Sequence, residues 1–237
     1  MAGARFSDRQ LALIGLILVG AAPTASVLSS LGSGEGLFGQ IFWAGSKLWM
    51  LGLPLLWRLK VDKLPFSWSK PVNGGFGAAT LLGLGMSFFM LLGWWLFGGG
   101  VIDEALIRAA IAPFDLLSPE MYFGAAMFWI FVNSVIEEYV FRWFVTEKAE
   151  VVLGGGTIWG EITLSAAIFT FHHTLVLFIF GFPLWANALC SLALFIGGCG
   201  FSWLYLRYRS IWVAWWCHAI CDVVVFGLGA HILFGGI

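Results

Sequence analysis

Charge is what this sequence has least of. Asp, Glu, Lys and Arg make up only 11% of its 237 residues, against about 25% in an ordinary soluble domain. The formal net charge is −1, so there is no basic field of the kind that binds nucleic acid. Cysteine is scarce too. Cys190, Cys199, Cys217 and Cys221 all fall in apolar stretches without a CxxC pair, which argues against a disulfide framework. They read as small packing residues. No internal repeat or low-complexity tract stands out, which weakens a transporter built from paired repeats.

Apolar residues fill the space left by charge. They make up 60% of the chain, and 17% is aromatic. A bilayer-spanning helix needs about 20 mostly apolar residues. Segments 10–31, 37–58, 75–98, 121–146, 159–180, 183–206 and 210–234 qualify, separated by clusters containing Gly or Pro. The fold class expected is all-α: a polytopic membrane bundle of about seven helices, with a polar catalytic cavity among the C-terminal ones. Residues 1–120 hold N-terminal helices plus an interfacial segment, and 121–237 the helices carrying the chemistry, within one membrane domain. Segment 101–118 mixes Asp103, Glu104, Arg108 and Asp115 with Ile102, Leu106, Ile107 and Ile111, the pattern of a short amphipathic helix in an interface. Arg5 and Arg9 before an apolar run at 11–19, with small residues after it, resemble a secretory signal. We read the segment as a first membrane helix that is not removed.

Lysine and arginine in short loops set orientation. Arg5 and Arg9, the cluster Arg58, Lys60, Lys63 and Lys70, then Lys148, then Arg207 and Arg209 fall on one side if seven helices alternate. The opposite loops hold Glu35, Asp103, Glu104, Asp115 and Glu120, with Arg108 as the one cation. This predicts a cytoplasmic N-terminus. Loop charge and compact length are those of a bacterial inner (plasma) membrane protein. Trp212, Trp215 and Trp216 fit an aromatic belt, and the glycines around 82–85 and 197–200 fit close helix contacts.

A charge at a helix centre in the bilayer costs at least about 2.5–3.5 kcal/mol, so the few present mark function by default. They are Lys47, Glu137, Glu138, Arg142, His172, His173, His218 and Asp222. Glu138 and Arg142 stand four residues apart, in the favourable order for an ion pair. Glu137 points about 100° away, in line with Asn133 and Phe141, and is free to act as a general base on water. On one helix face, only one of His172 and His173 is expected to meet a given neighbour, and His173 shares its face with Phe169. His218 and Asp222, four apart, form a third group, in which Asp222 could fix the imidazole tautomer. Lys47 could snorkel or pair with an acidic member of the cluster. Each pair alone could be a packing device. Three on three separate apolar helices point to one polar cavity.

Glu137-Glu138-x-x-x-Arg142, Phe169-x-x-x-His173 and His218-x-x-x-Asp222, in that order on separate helices, resemble the three motifs of the CPBP family of type II CAAX prenyl endopeptidases and bacteriocin-processing membrane proteins. The run from Gly200 through Tyr205 and Arg207 to Trp212 is similar to that family as well, and the resemblance covers roughly 121–230. It implies an intramembrane endopeptidase, acting without metal or other cofactor on a membrane-embedded or lipidated peptide or protein. It also implies that Glu137 is the base, with His173 holding the attacking water and Glu138 and Arg142 bracing the site. His218 and residue 222 would stabilise the oxyanion. Position 222 is often Asn in the family and is Asp here, so His218 is expected to be the main donor, with Asp222 orienting it. Two other readings use the same residues. One is a zinc protease with Glu137, His173 and His218 as ligands, although no HExxH is present. The other is a non-catalytic transporter or immunity scaffold with the carboxylates and histidines as relays or packing groups.

Overall fold

The computed structural model describes residues 6–30, 37–98 and 101–235. Arg5 and Glu35, both used in the orientation argument, lie outside the described residues. Eight helices are described: α1 (Asp8–Ser30), α2 (Leu37–Leu56), α3 (Phe76–Phe97), the short α4 (Glu104–Ile111), α5 (Pro119–Leu153), α6 (Ile158–Ile179), α7 (Leu184–Tyr208) and α8 (Ile211–Phe234). Six of them, α1, α3 and α5 to α8, are long and apolar enough to cross a membrane. The segment expected at 37–58 does form a helix, and its 20 residues would cover about 30 Å. Gln40, Ser46 and Lys47 interrupt its apolar run, and it is not among the six. It runs antiparallel along α1: Trp49 Nε1 donates to the Leu18 carbonyl at 3.0 Å, and Trp57 packs at Gly15.

Side-chain caps mark where helices begin. The Asp103 carboxylate accepts from the Ala105 and Leu106 amides, Ser118 from Met121, Thr157 from Gly160 and Ser210 from Trp212. Each satisfies an amide that the first helical turn leaves without a partner. The amphipathic segment expected near 101–118 is α4, and its Arg108 pairs with Glu104 and donates to the Leu233 carbonyl. Helix α5 outruns the expected 121–146. Glu147 and Lys148 extend it because both find partners: Arg58 at 3.4 Å and Tyr205 Oη at 2.8 Å for Glu147, and Asp62 at 2.5 Å for Lys148. The helix stops at Gly154, which has φ of 76°.

The bundle is built on α6 against α7, α3 against α8, and α1 against both α2 and the C-terminal turns of α5. Gly198 lets α6 and α7 close up, since a Cβ there would lie 3.2 Å from both Ala166 and Phe169. Small residues permit such approach where no hydrophobic force drives helices together. Gly83 on α3 faces the Cys217 carbonyl in the same way, whereas Gly85 meets nothing. Large apolar side chains such as Trp95, 79% exposed, and Phe89, 70% exposed, cover the outside of the bundle. A soluble protein rarely shows so much apolar surface, and here it faces lipid. Contacts between the 57–75 segment, the end of α5 and the α7–α8 turn bring Arg58, Lys148 and Arg209 to one end of the bundle. At that end Trp212 donates to the Trp68 carbonyl at 2.9 Å, and Trp216 donates to Thr80 Oγ1 at 2.9 Å.

Gly75 caps α3 with φ of 104°, and a Cβ there would sit 2.6 Å from the Tyr208 ring. Gly75→Ala combines a disfavoured backbone conformation with a clash, expected to cost about 1–3 kcal/mol. Gly77→Ala, two residues on in open space, is expected to be neutral or slightly stabilising. Thermal unfolding of the two variants in detergent checks the contrast, and equal effects would contradict it.

Candidate active site

Glu137 and Glu138 lie near the middle of α5, roughly 25 Å from either end at 1.5 Å per residue. The helix is irregular on both sides of them. A π turn spans Trp129–Asn133, another spans Tyr139–Thr146, and the two carboxylates sit on the short α segment between. Such π segments recur at functional sites because they re-aim side chains and free carbonyls. The Ile130 carbonyl accepts from the Ser134 hydroxyl and from Trp215 Nε1 on α8. The Phe141 carbonyl accepts from Thr146 at 2.9 Å and from Ser165 on α6 at 2.8 Å. Each therefore has one local hydroxyl and one donor from a neighbouring helix.

Glu138 and Arg142 are wholly buried and paired at 3.0 Å, as their spacing suggests. One Arg142 Nη donates to Ser165 Oγ at 3.2 Å on α6 and to Ser202 Oγ at 3.0 Å on α7. The guanidinium also lies over the rings of Phe141, Phe169 and Phe201, nearest at 4.9 Å to Phe169. The second Glu138 oxygen lies 2.9 Å from His218 Nδ1 on α8. A carboxylate only accepts, so Nδ1 carries the proton. This differs from the expectation that Asp222 fixes the tautomer. Glu138 does so, because its second oxygen is free after Arg142 has taken the first. Asp222 Oδ1 instead stands 3.5 Å from His218 Nε2, with Glu137 Oε2 at 4.0 Å from the same nitrogen. His218 is stacked on Phe201 at 4.8 Å.

Glu137 is 9% exposed and accepts from Asn133 Nδ2 at 2.7 Å. Lys47 on α2 does not reach a carboxylate directly. Its Nζ donates to Asn133 Oδ1 at 2.5 Å. From α6, both adjacent histidines come to Glu137: a carboxylate oxygen of Glu137 and one ring nitrogen each of His172 and His173 all lie within 4.8 Å of one another. The reading that only one of the pair could face a given neighbour is corrected here. A carboxylate lodged between two side chains about 100° apart is within reach of both rings. His173 Nδ1 lies 3.0 Å from the Phe169 carbonyl, so that nitrogen donates and Nε2 is left as an acceptor. His172 is buried, stacked on Phe141 at 5.6 Å, and its Nδ1 has no partner. Among the described residues, the trio with metal-ligand spacing is thus Glu137, His172 and His173, rather than Glu137, His173 and His218.

All six candidate residues converge: Glu137, Glu138 and Arg142 from α5, His173 from α6, and His218 and Asp222 from α8. Asn133, Ser165, Ser202 and Phe201 complete the setting and were not singled out from the sequence as site residues. The signal available for the serines was a lone hydroxyl in an apolar helix, which is too common to use alone.

Removing one partner of a buried ion pair leaves an uncompensated charge, at about 3–5 kcal/mol. Arg142→Met is expected to destabilise the protein by that order. A loss below about 1 kcal/mol in chemical unfolding in detergent would mean that the pair does not brace the bundle.

The comparisons with known proteins bear on the same segment. A family model described as type II CAAX prenyl endopeptidase Rce1-like matches residues 119–224. No curated protein and no solved structure matches the chain. The matched span runs from the start of α5 to just past Asp222 and so holds all six residues. Three motifs in order, gathered by folding into one site within a bundle of bilayer-length helices, and a family model over the same stretch make this part of the chain similar to the type II CAAX prenyl endopeptidase (Rce1-like) family of membrane peptidases.

Proposed function

We propose that the chain is a glutamate-dependent intramembrane endopeptidase that cleaves a lipidated or membrane-tethered protein near its anchor. The observation that supports this most is the pairing of a carboxylate with a tautomer-fixed histidine at mid-helix depth. Glu137 has one oxygen held by Asn133 and the other outside any hydrogen bond, 4.0 Å from His218 Nε2. His173 presents Nε2 as an acceptor because Nδ1 donates to the Phe169 carbonyl. A water between them gives one hydrogen to Glu137 and one to His173, which leaves its lone pair for the scissile carbonyl carbon. Glu137 takes the proton as the oxygen adds, and returns it to the leaving amine as the tetrahedral intermediate collapses. His218, protonated on both ring nitrogens, keeps Nδ1–H on Glu138 and donates from Nε2 to the developing oxyanion. Glu138 holds that ring through Nδ1, and Arg142 holds Glu138.

Depth supports the substrate class. A soluble peptide has little means of reaching the middle of a 35-residue helix in a lipid-facing bundle. A chain carrying a prenyl group or ending in a membrane anchor is already delivered there. The same reading includes a cytoplasmic N-terminus in a bacterial plasma membrane, supported by the gathering of basic residues at one end of the bundle.

Glu137→Gln keeps the shape and removes the base. It is expected to lower cleavage by about 10²–10⁴-fold, while the protein stays folded and abundant in the membrane. Mass spectrometry of terminal peptides from co-resident membrane proteins, wild type against variant, reads this out. A folded variant that leaves every peptide unchanged would favour a transporter or scaffold. A chelator is expected to leave the rate unchanged. Loss on chelation with recovery on added zinc would move water activation to a metal at Glu137, His172 and His173.

A further inference from the structure

Lys47 is the one cation of α2 within reach of the site, and it stands outside the span matched by the family model. Its ammonium is 2.5 Å from Asn133 Oδ1, and Asn133 Nδ2 is 2.7 Å from Glu137 Oε1. We propose that Lys47 is a positioning residue for Glu137, acting through the Asn133 amide. This rests on the reading of Glu137 as the base.

The argument is one of donors and acceptors. An ammonium has three donors and no acceptor, while an amide has one acceptor end and one donor end. With Lys47 beside it, the Asn133 carbonyl must face the ammonium, because the opposite orientation would set donor against donor. The amide nitrogen must then face Glu137, where it donates to Oε1. A flipped amide would place its oxygen against a carboxylate oxygen, acceptor against acceptor. Lys47 therefore selects the one orientation of Asn133 that holds Glu137 by a single oxygen and leaves Oε2 on the side of His218. The charge also polarises the amide, which strengthens its hydrogen bond to Glu137.

The local structure fits a positioning task. Asn133 ends the first π turn of α5, one helical turn before Glu137, so the two side chains meet along the helix. Lys47 reaches them from a different helix, its Nζ 5.8 Å from the Trp43 ring centroid on its own helix. A residue that only fastened α2 to α5 would not need to bond the amide that touches the base. That fastening has another contributor, since Tyr139 Oη donates to the Leu51 carbonyl at 3.1 Å.

The test uses the full chain in phosphatidylethanolamine–phosphatidylglycerol vesicles, with a synthetic farnesylated cysteine peptide as the cleavage probe. Lys47→Met is expected to lower kcat by about 10–100-fold with KM changed less than about threefold, the pattern of a group that serves the transition state rather than binding. Lys47→Arg, also a pure donor, is expected to restore most of the rate. In an Asn133→Leu background, Lys47→Met is expected to have little further effect, since a relay broken at one link is not broken again. Multiplying effects, or a fall in KM-dependent binding alone, would overturn the proposal. A second readout does not depend on activity. The infrared carboxylate band of Glu137, identified by its loss in Glu137→Gln, is expected to shift alike in Lys47→Met and Asn133→Leu and to stay in place in Lys47→Arg. An unmoved band in Lys47→Met would overturn the relay even if no cleavage were seen. Full cleavage by Glu137→Gln would instead remove the reading of the base and leave the band to decide the relay by itself.

Discussion

The Arg142 guanidinium is the interaction on which the rest of this structure depends. It is a cation with no exposure to solvent, inside a bundle whose surroundings are hydrocarbon. Isolated there it would be prohibitively costly. The chain surrounds it with a carboxylate, two hydroxyls and three ring faces drawn from α5, α6 and α7. Those partners fix the relative position of the helices that carry the site. Through Glu138 the same charge extends to His218, so α8 is registered against α5 by a chain of donors and acceptors. Packing between apolar helices in lipid is permissive about rotation. A buried charge with directional partners is not.

That distinction explains what the sequence disclosed. Apolar runs with Gly and Pro between them marked where the helices lie, because length and composition are nearly all that spanning requires. The i, i+4 spacing of Glu138 and Arg142 predicted their pair, and the alignment of Asn133 with Glu137 appeared as a hydrogen bond. What spacing alone does not convey is how one helix is turned against another. The approach of both His172 and His173 to Glu137, the transfer of the His218 tautomer from Asp222 to Glu138, and the meeting of Lys47 with Asn133 all depend on inter-helix rotation. The family resemblance named the six residues but said nothing of α2, which lies outside the motifs. The π turns were also invisible, since they follow from tertiary partners for freed carbonyls rather than from any local propensity.

The site also keeps its two carboxylates chemically distinct though they are neighbours in sequence. Glu138 spends both oxygens on Arg142 and His218 and has no exposure. Glu137, one residue earlier and turned about 100° away, is held from one side and partly open. Adjacent residues of one type thus receive different surroundings from helix geometry, the second as a fixed strut and the first with one oxygen outside any hydrogen bond.

The paired partners of the freed carbonyls bear on how such a helix is made. A ribosome delivers α5 to the membrane before α6 and α8 exist outside the exit tunnel. An irregular turn exposed to lipid at that moment would carry carbonyls with nothing to accept from. Ser134 and Thr146 travel on α5 itself and serve Ile130 and Phe141 from the outset. Ser165 and Trp215 arrive with the later helices and take the remaining lone pairs. Until those arrive, each of the two carbonyls has one partner within α5 itself, and its second lone pair is satisfied only when α6 and α8 pack against the helix.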